Sequence, residues 1–518
     1  MSRAIFKSTS VVGLTTLLSR ITGMMRDVAQ ATLFGGGPIA DAFLVAYKIP
    51  NFLRRLFAEG AFSQSFVPVV SQYKHQNDHH EVEELINGAV GTLGLALFVI
   101  TLIGVIGAPL IIWAFAPGFV ADGGRYGLAV EMLRLTFPYL FFISLTALGS
   151  GVLNSYGSFG PPAFTQVLMN LIMIVAAVWI APHFANPGLV LAVAVFVSGV
   201  VQVAFQVPFL MKLKLLGWPR WRWDHPGVRK VAKLMVPGIL GSSMAQVSLL
   251  LDTQIASFLA TGSVTWMYFA DRLVEFPLGV FSIALATVIL PSLSAHHAAE
   301  APEHFSATLD WALKLVVIMV MPAAVALFVL AGPLTATFFG HGRFVANDVT
   351  MSSYALMAYS FGLLGFSFVK VLAPGYFARQ DTRTPVRVSI VSLGVNIGLN
   401  VAVVAPLAYF KLVPAPHAFL ALSTGTSALV NSALLYRGLR RRELLKPSAG
   451  WGALLARVAL SSLVMAVVLW WMAGDLSRWF AMHTWQRVLN TALCVTVGGA
   501  VYFVALFAAG MRPQHVRH

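Results

Sequence analysis

Long apolar runs separated by short polar connections dominate this chain. A helix crosses the hydrocarbon core of a bilayer with about 20 largely apolar residues, and runs of that length recur from one end of the sequence to the other. They predict spans over residues 9–34, 40–72, 86–115, 126–154, 163–182, 188–211, 229–260, 264–294, 307–331, 350–378, 385–406, 416–436, 452–474 and 488–510. The second, seventh, eighth and tenth runs are long, which suits tilt or extension beyond the bilayer. The expected fold class is an all-α polytopic membrane protein with 14 transmembrane helices.

Composition agrees. Of 518 residues, 58% are hydrophobic and 11% charged, against roughly a quarter charged in soluble domains. So few polar side chains cannot cover a water-facing surface, and the main solvent must be lipid. The net charge of +15, from 35 Lys and Arg against 20 Asp and Glu, would suggest nucleic acid in a soluble protein. Here the cations gather in a few connections, so no nucleic-acid partner is expected.

Those connections set the orientation, because cytoplasmic loops carry the excess of Lys and Arg. Lys212, Lys214, Arg220, Arg222, Arg229, Lys230 and Lys233 follow span six; Arg379, Arg383 and Arg387 follow span ten. Arg437, Arg440, Arg441, Arg442 and Lys446 follow span twelve, and Arg512 and Arg517 follow span fourteen. The opposite connections 35–39, 183–187 and 261–263 contain no Lys or Arg. Both termini are therefore expected in the cytoplasm. Arg20 and Arg26 interrupt the first apolar run, so that run reads as an uncleaved helix and not as a signal peptide.

An internal repeat emerges from the same pattern. Gly107-Ala108-Pro109-Leu110 and Ala331-Gly332-Pro333-Leu334 lie 224 positions apart, as do Pro161 and Pro385. Asn170 has a near counterpart in Asn396, and Pro50 and Pro68 are loosely echoed by Pro277 and Pro291. The expected domains are an N-lobe over 1–225, a C-lobe over 226–447, and two appended helices over 448–518. Duplicated bundles with a site at the repeat interface are a common transporter plan.

Charge within the spans is the candidate chemistry, since it costs roughly 2.5 to 3.5 kcal/mol on insertion scales and usually faces water or a partner. Arg20 and Arg26 lie in span one, Arg54 and Arg55 in span two. Helix rise places Arg20 about 22 Å from the Gly35 end and Arg54 about 21 Å from the Ala40 end, at similar depth on adjacent antiparallel helices. Arginine stays charged and grips phosphate through paired hydrogen bonds, so the group suits a pyrophosphate or another polyanion. Asp27, Asp41 and Glu59 are acidic neighbours, and internal salt bridges are the competing use of these cations. Asp41, near the outer end of span two, is suited to pairing with a cation during closure. In span eight, Arg272 and Glu275 share a helix face beside Asp271, as a substrate contact or as a structural pair. Asp252, Asn396 and Asn400 offer oxygens that suit Na⁺, and interhelical hydrogen bonding explains them equally.

The remaining motifs add little chemistry. His79-His80 with Glu81, Glu83 and Glu84, and His296-His297, read as solvated loops. Cys494 is the only cysteine, which excludes an intramolecular disulfide and any cysteine metal site. No phosphate-binding Gly-rich loop, zinc-protease motif or nucleophile elbow is present, so no enzyme is expected. Trp470, Trp471, Trp479 and Trp485 flank the last connection as interfacial anchors.

The blocks Ala40-Asp41-Ala42-Phe43, Lys48-Ile49-Pro50-Asn51-Phe52-Leu53-Arg54-Arg55 and Phe57-Ala58-Glu59-Gly60-Ala61-Phe62-Ser63-Gln64-Ser65-Phe66-Val67-Pro68 closely resemble the MurJ (MviN) lipid II flippases. Trp266-Met267-Tyr268, Ala270-Asp271-Arg272-Leu273, Glu275-Phe276-Pro277, and Gln380-Asp381 with Thr384-Pro385 match as well. The resemblance covers essentially the whole chain and places it in the multidrug/oligosaccharidyl-lipid/polysaccharide exporter superfamily. It implies two six-helix lobes around a central cavity, with a lipid-accessible groove formed by the two extra helices. The implied substrate is lipid II, undecaprenyl-pyrophosphate carrying the peptidoglycan disaccharide-pentapeptide. The family's cavity arginines carry over onto Arg20, Arg26, Arg54 and Arg272, and its acidic position onto Asp41; Arg55, Glu59 and Asp271 would support or gate. Some relatives are held to bind Na⁺ in the second lobe, which points to Asp252, Asn396 and Asn400.

The expectation is thus an alternating-access flippase in the bacterial inner membrane, assisted by the membrane potential and in contact with membrane lipids and cell-wall synthesis enzymes. Two rivals are a flippase for another polyprenyl-linked glycan and a drug/cation antiporter of the same superfamily. The antiporter should prefer carboxylates and aromatics over arginine.

Overall fold

The computed structural model describes residues 2–55, 63–76, 79–215 and 217–512, and among them every regular element is helical. In chain order the α-helices are α1 (Ser2–Phe34), α2 (Pro38–Arg54), α3 (Ser63–Gln76), α4 (His79–Ile106), α5 (Ala108–Phe115), α6 (Gly124–Thr136) and α7 (Tyr139–Ser155). Then come α8 (Gly160–Val175), α9 (Pro187–Lys212), α10 (Pro226–Ser257), α11 (Ser263–Pro277), α12 (Ala284–Ala298), α13 (Pro302–Val329) and α14 (Ala331–Phe338). The last are α15 (Ala346–Phe377), α16 (Arg383–Leu399), α17 (Ala405–Tyr409), α18 (Pro416–Arg441), α19 (Trp451–Ala473), α20 (Leu476–Ala481) and α21 (Thr484–Ala508). Proline opens many of them, among them α2, α9, α10, α13 and α18. A first-turn residue needs no intrahelical N–H bond, and the fixed proline φ already fits the helix.

Ten of the fourteen predicted spans are, among the described residues, helical stretches long and apolar enough to cross a membrane. The other four are those predicted over 9–34, 40–72, 229–260 and 264–294. Each of these four includes residues that lie outside the described ones or whose side chains do. Helix α1 carries Arg20, Arg26 and Asp27; α2 and α3 are 17 and 14 residues long. Helix α10 carries Lys233 and Asp252, and α11 and α12, 15 residues each, are joined by a π-helical turn at Leu278–Ile283.

The repeat reappears in the helix boundaries. Helix α10 starts 224 positions after α1, while α13, α14 and α16 each start 223 positions after α4, α5 and α8. Irregularity repeats too. π-Helical turns at Ala176–Ile180 and Asn400–Val404 are again 224 positions apart. A π-turn disturbs the backbone bonding of a helix and is found mostly where function or packing demands it. Its recurrence in register is a stronger mark of duplication than shared prolines.

The chain divides into two compact units, Met1–Val264 and Thr265–His518. In the first, Phe66, Val69, Leu85, Val152 and Val228 from α3, α4, α7 and α10 form a buried cluster. The far end of α10 is bonded to the same unit: Lys48 Nζ donates to Thr253 Oγ1 at 3.5 Å, and the Gly118 amide donates to Ser257 Oγ at 3.0 Å. In the second unit, α15 and α18 touch backbone to backbone. A Cβ at Gly362 would lie 2.3 Å from the Gly425 Cα, so only paired glycines permit the approach, as in small-residue packing between membrane helices.

Helices α19 and α21 dock on α13 and α14 of this unit. The Tyr502 hydroxyl donates to the Ile318 carbonyl at 2.6 Å, and the Thr337 and Thr491 hydroxyls are 2.7 Å apart. Arg487, at the start of α21, is buried and donates to the carbonyls of Ala336, Gly340, Phe480 and Met482 at 3.2, 2.7, 3.1 and 3.1 Å. These include the Ala336 carbonyl in the last turn of α14 and the Gly340 carbonyl just beyond it.

Three local readings are corrected. His79–Glu84 is not a loop but the first turns of α4, and His296-His297 belongs to the last turn of α12. Helices here continue past their apolar stretch into water, where their polar side chains are solvated; Glu81 also favours the positive end of α4. Of the four tryptophans near the last connection, Trp470, Trp471 and Trp485 are exposed, as anchors require. Trp479 is instead fully buried, its indole donating to the Ala473 carbonyl at 2.8 Å, because the turn folds around it.

The Asp381-Thr384 motif also has a structural use. Asp381 accepts from the Thr384 amide at 3.0 Å and hydroxyl at 2.6 Å, which opens α16, and from Arg442 at 2.6 Å just after α18. Against an opposing push from burial, the bonds from Thr384 and Arg442 hold the Asp381 carboxyl down at about 2. A carboxyl lowered by folding stabilises the fold above its ordinary value of 3.8 and loses that contribution as pH falls toward about 2. The thermal stability of the parent protein should therefore drop toward that of Asp381→Asn across this interval, while the two remain separated at neutral pH. Thermal unfolding in detergent against pH measures it. In the same assay, Arg487→Ala should cost at least about 2 kcal/mol, from buried carbonyls left without donors. Arg487→Lys should recover only part, with three donors in place of five.

Candidate functional site

Between Val11 and Phe34 helix α1 mixes apolar residues with hydroxyl side chains, and it holds three charged residues, Arg20, Arg26 and Asp27. The two arginines lie six positions apart, and their surroundings differ completely. Arg20 is exposed and among the described residues has no carboxylate within 4.0 Å. Arg26 is buried. Its Nε and Nη2 donate to Asp27 Oδ1 at 3.1 and 2.8 Å, and its Nη1 donates to Asn170 Oδ1 at 3.1 Å and to the Tyr47 hydroxyl at 3.4 Å. Asn170, from α8, returns to α1 by donating to the Ser19 carbonyl and Thr22 hydroxyl, each at 3.1 Å. A fixed charge in low dielectric needs this degree of satisfaction. Arg26 thereby ties α1 to α2 and α8.

Helix α2 presents the second part. Its first turn holds Asp41, fully buried, which accepts from the Gly262 amide at 2.7 Å and lies 3.5 Å from the Arg125 guanidinium. Arg125, at the start of α6, is also paired with Asp122 and sits 4.7 Å from the Phe119 ring centre. Asp41 thus bridges the start of α2, the start of α6 and the turn between α10 and α11. The cation it meets is Arg125. At the other end of α2, Arg54 is half-buried and donates through Nε to Asn51 Oδ1 at 3.2 Å, and Arg55 is half-buried at the helix end. Glu59 lies outside the described residues.

The second unit carries the rest. Arg272 on α11 donates to Glu275 at 2.6 Å and lies 4.8 Å from the Tyr268 ring centre, with Asp271 half-buried beside it. The pairing anticipated from their three-residue spacing is therefore formed. On α16, the Asn396 amide donates to Thr424 at 3.2 Å, and Asn400 donates to Asn396 Oδ1 at 3.0 Å. The Asn400 Oδ1 is buried with no hydrogen-bond donor among the described residues. Asp252 is buried on α10, in the first unit. Among the described residues no group of three or more His, Cys, Asp or Glu could hold a metal ion.

Sequence reasoning missed the partners. Asn170 was legible as a lone amide in an apolar run, a recognised mark of intramembrane bonding, but entered only as a repeat marker. Tyr47 and Arg125 gave no signal at all, because a tyrosine in an apolar helix and an arginine at a span edge are ordinary.

The family model described as "Lipid II flippase MurJ" matches residues 30–511. A "Probable lipid II flippase MurJ" of Vibrio cholerae is 43% identical, over 100% of this chain and 98% of its own length. The "Lipid II flippase MurJ" of Burkholderia cenocepacia is 42% identical over 99% of both. Among solved structures, a lipid II flippase MurJ in an inward closed conformation superposes with a TM-score of 0.78, at 23% identity, over 95% of this chain and 97% of that one. An inward-facing multidrug resistance MATE family transporter of the MOP superfamily superposes with a TM-score of 0.65, at 14% identity, over 82% and 94%. Both likenesses concern the fold. With a full-length family match and relatives above 40% identity along their whole length, the chain belongs to the MurJ lipid II flippase family.

Proposed function

We propose that this protein carries lipid II across the bacterial inner membrane by alternating access, and that it is a transporter with no covalent chemistry of its own. The observation that carries the site assignment is the contrast on α1. Arg26 is locked by Asp27 and Asn170, whereas Arg20 is exposed and, among the described residues, without a counter-ion. A permanent charge left open within a span needs water or an anionic ligand. A pyrophosphate offers paired acceptors that match guanidinium geometry.

In this reading the fourteen spans form two repeat-related lobes, over 1–225 and 226–447. Arg20 and Arg54 receive the pyrophosphate and sugars, and Arg272 is a further candidate substrate contact. Arg26 acts by holding α1 against α2 and α8. The polyprenyl tail stays in lipid along helices 13 and 14 of the span count, residues 448–518. Both termini lie in the cytoplasm, so the Asp41–Gly262–Arg125 bridge closes the periplasmic end while the headgroup loads. A potential positive outside assists the outward movement of an anion by about 2.3 kcal/mol per charge per 100 mV. The open oxygen of Asn400, beside Asn396 and Thr424, suits a Na⁺ ion that would bias the second lobe. Enzymes that consume the delivered precursor are the expected partners. The antiporter reading is disfavoured by the surplus of arginine.

Charge-assisted bonds to a phosphate are worth about 1.5 to 3 kcal/mol each. Arg20→Glu and Arg54→Glu should each lower lipid II externalisation by at least about tenfold, with thermal unfolding unchanged. Periplasmic accessibility of lipid II, measured after depletion of the parent protein, checks it. Normal externalisation by both variants would remove the arginine site. For the bridge, a cysteine at Ser263, in a Cys494→Ala background, should resist a membrane-impermeant maleimide while Asp41 is present and become labelled in Asp41→Ala. Equal labelling in both would mean that Asp41 holds no gate.

A further inference from the structure

Between α9 and α10 the chain reads Gly217-Trp218-Pro219-Arg220-Trp221-Arg222-Trp223, three indoles and two guanidiniums in seven residues. This segment has no regular structure, yet its backbone is fixed against α4. The Gly217 amide donates to Asn87 Oδ1 at 3.0 Å, the Arg220 amide to the Asn87 carbonyl at 3.2 Å, and the Arg222 amide to Thr92 Oγ1 at 3.1 Å. Gly91 makes the approach possible, since a Cβ there would lie 2.2 Å from the Arg220 carbonyl oxygen. Arg222 is further held by Glu84 at 3.3 Å.

The side chains do the opposite of the backbone. Trp218, Trp221 and Trp223 are 86%, 60% and 46% exposed. Arg220, between the first two, is exposed and among the described residues has no acidic partner. Three large indoles turned outward from a pinned backbone are poorly suited to bulk water. They match the headgroup layer, where tryptophan is enriched because one part of the ring is apolar and its N–H remains wet. Helix α4 fixes the depth. It carries Glu81, Glu83 and Glu84 before the strap and no charged residue from Leu85 to Ile106, so the strap crosses it where polar sequence gives way to membrane-spanning sequence. Lys212, Lys214, Arg229 and Lys230 flank the strap, against Asp224 alone on the same connection. With Glu81, Glu83 and Glu84 of α4 counted as well, the local charge is still net positive.

We propose that residues 217–223 form a binding strap for anionic phospholipid, in which Trp218 and Trp221 seat in the headgroup layer and Arg220 bonds the lipid phosphate. The site is separate from the arginines of α1 and α2, and its occupant is a bulk membrane lipid, not the transported one. The strap fastens the α9–α10 connection to the bilayer surface, so anionic lipid content sets how firmly the start of α10 is held.

The test uses the full-length protein in nanodiscs containing dibrominated phosphatidylglycerol or dibrominated phosphatidylcholine at equal mole fraction. The fluorescence difference between the parent and Trp218→Phe/Trp221→Phe isolates the two indoles. Their quenching should be stronger with the brominated anionic lipid. Arg220→Gln should lower that preference about fivefold, the equivalent of about 1 kcal/mol for one basic side chain at an anionic surface. Added inorganic phosphate should not compete. Equal quenching by the two lipids would reduce the strap to a non-selective anchor and overturn the proposal. Absence of quenching by either lipid, as for a strap covered by water or by a protein partner, would overturn it too. Unfolding in lipid-free detergent should not distinguish Arg220→Gln from the parent; the comparison between lipids decides the matter in the parent alone if it does.

Discussion

A guanidinium cannot shed its proton, and in a bilayer it must therefore be compensated or left in contact with water. This constraint sorts the cations of the chain. Arg26, Arg125 and Arg487 are buried, and each is surrounded by acceptors: a carboxylate and an amide, two carboxylates, and four carbonyls respectively. Arg20 is exposed, and Arg54 and Arg272 are half-buried. The first set holds helices together. In the second, Arg54 bonds Asn51 and Arg272 bonds Glu275, whereas Arg20 has no carboxylate within 4.0 Å among the described residues, and the transport proposal starts from that contrast.

The compensated arginines sit where helices must be joined. Arg26 connects the first two helices to α8, Arg125 and Asp41 connect helix starts at the opposite end of α2, and Arg487 gathers the end of α14 under α21. Apolar helices in lipid gain little from mutual hydrophobic burial, so hydrogen bonds and close backbone packing carry more of the association. The Gly362–Gly425 contact is the packing version of the same solution. In the first unit Asp41 reaches the turn before α11, and the Thr253 and Ser257 bonds hold the end of α10 nearby. One end of the first unit is consequently fastened by several polar bonds.

Much of this was open to a reader of the sequence, for reasons that can be named. Spans are legible because about 20 apolar residues in succession have no other solvent. The repeat pattern is legible because proline positions fix helix starts, and helix starts and π-turns recur near a 224-residue offset. The Arg272–Glu275 pair is legible because three residues on a helix bring side chains to one face. The readings of His79–Glu84 and His296-His297 as loops failed because polarity marks contact with water, not absence of helix. Trp479 defeated the anchor reading because a tryptophan suits an interface or a buried turn equally well.

By itself, then, the sequence determined the solvent, the helical class, the approximate bounds of ten spans and the family, since each depends on composition, periodicity or local motif. Tertiary structure alone decided which arginine of α1 is compensated, what Asp41 binds, and which tryptophan is buried. Asp27 stands beside Arg26 in the sequence, but only the fold brings Asn170, 144 residues from Arg26, and Tyr47 to complete the acceptors that make this arginine structural. A charge's role depends on the atoms within a few ångströms of it, and in a helical membrane protein many of those atoms come from distant sequence.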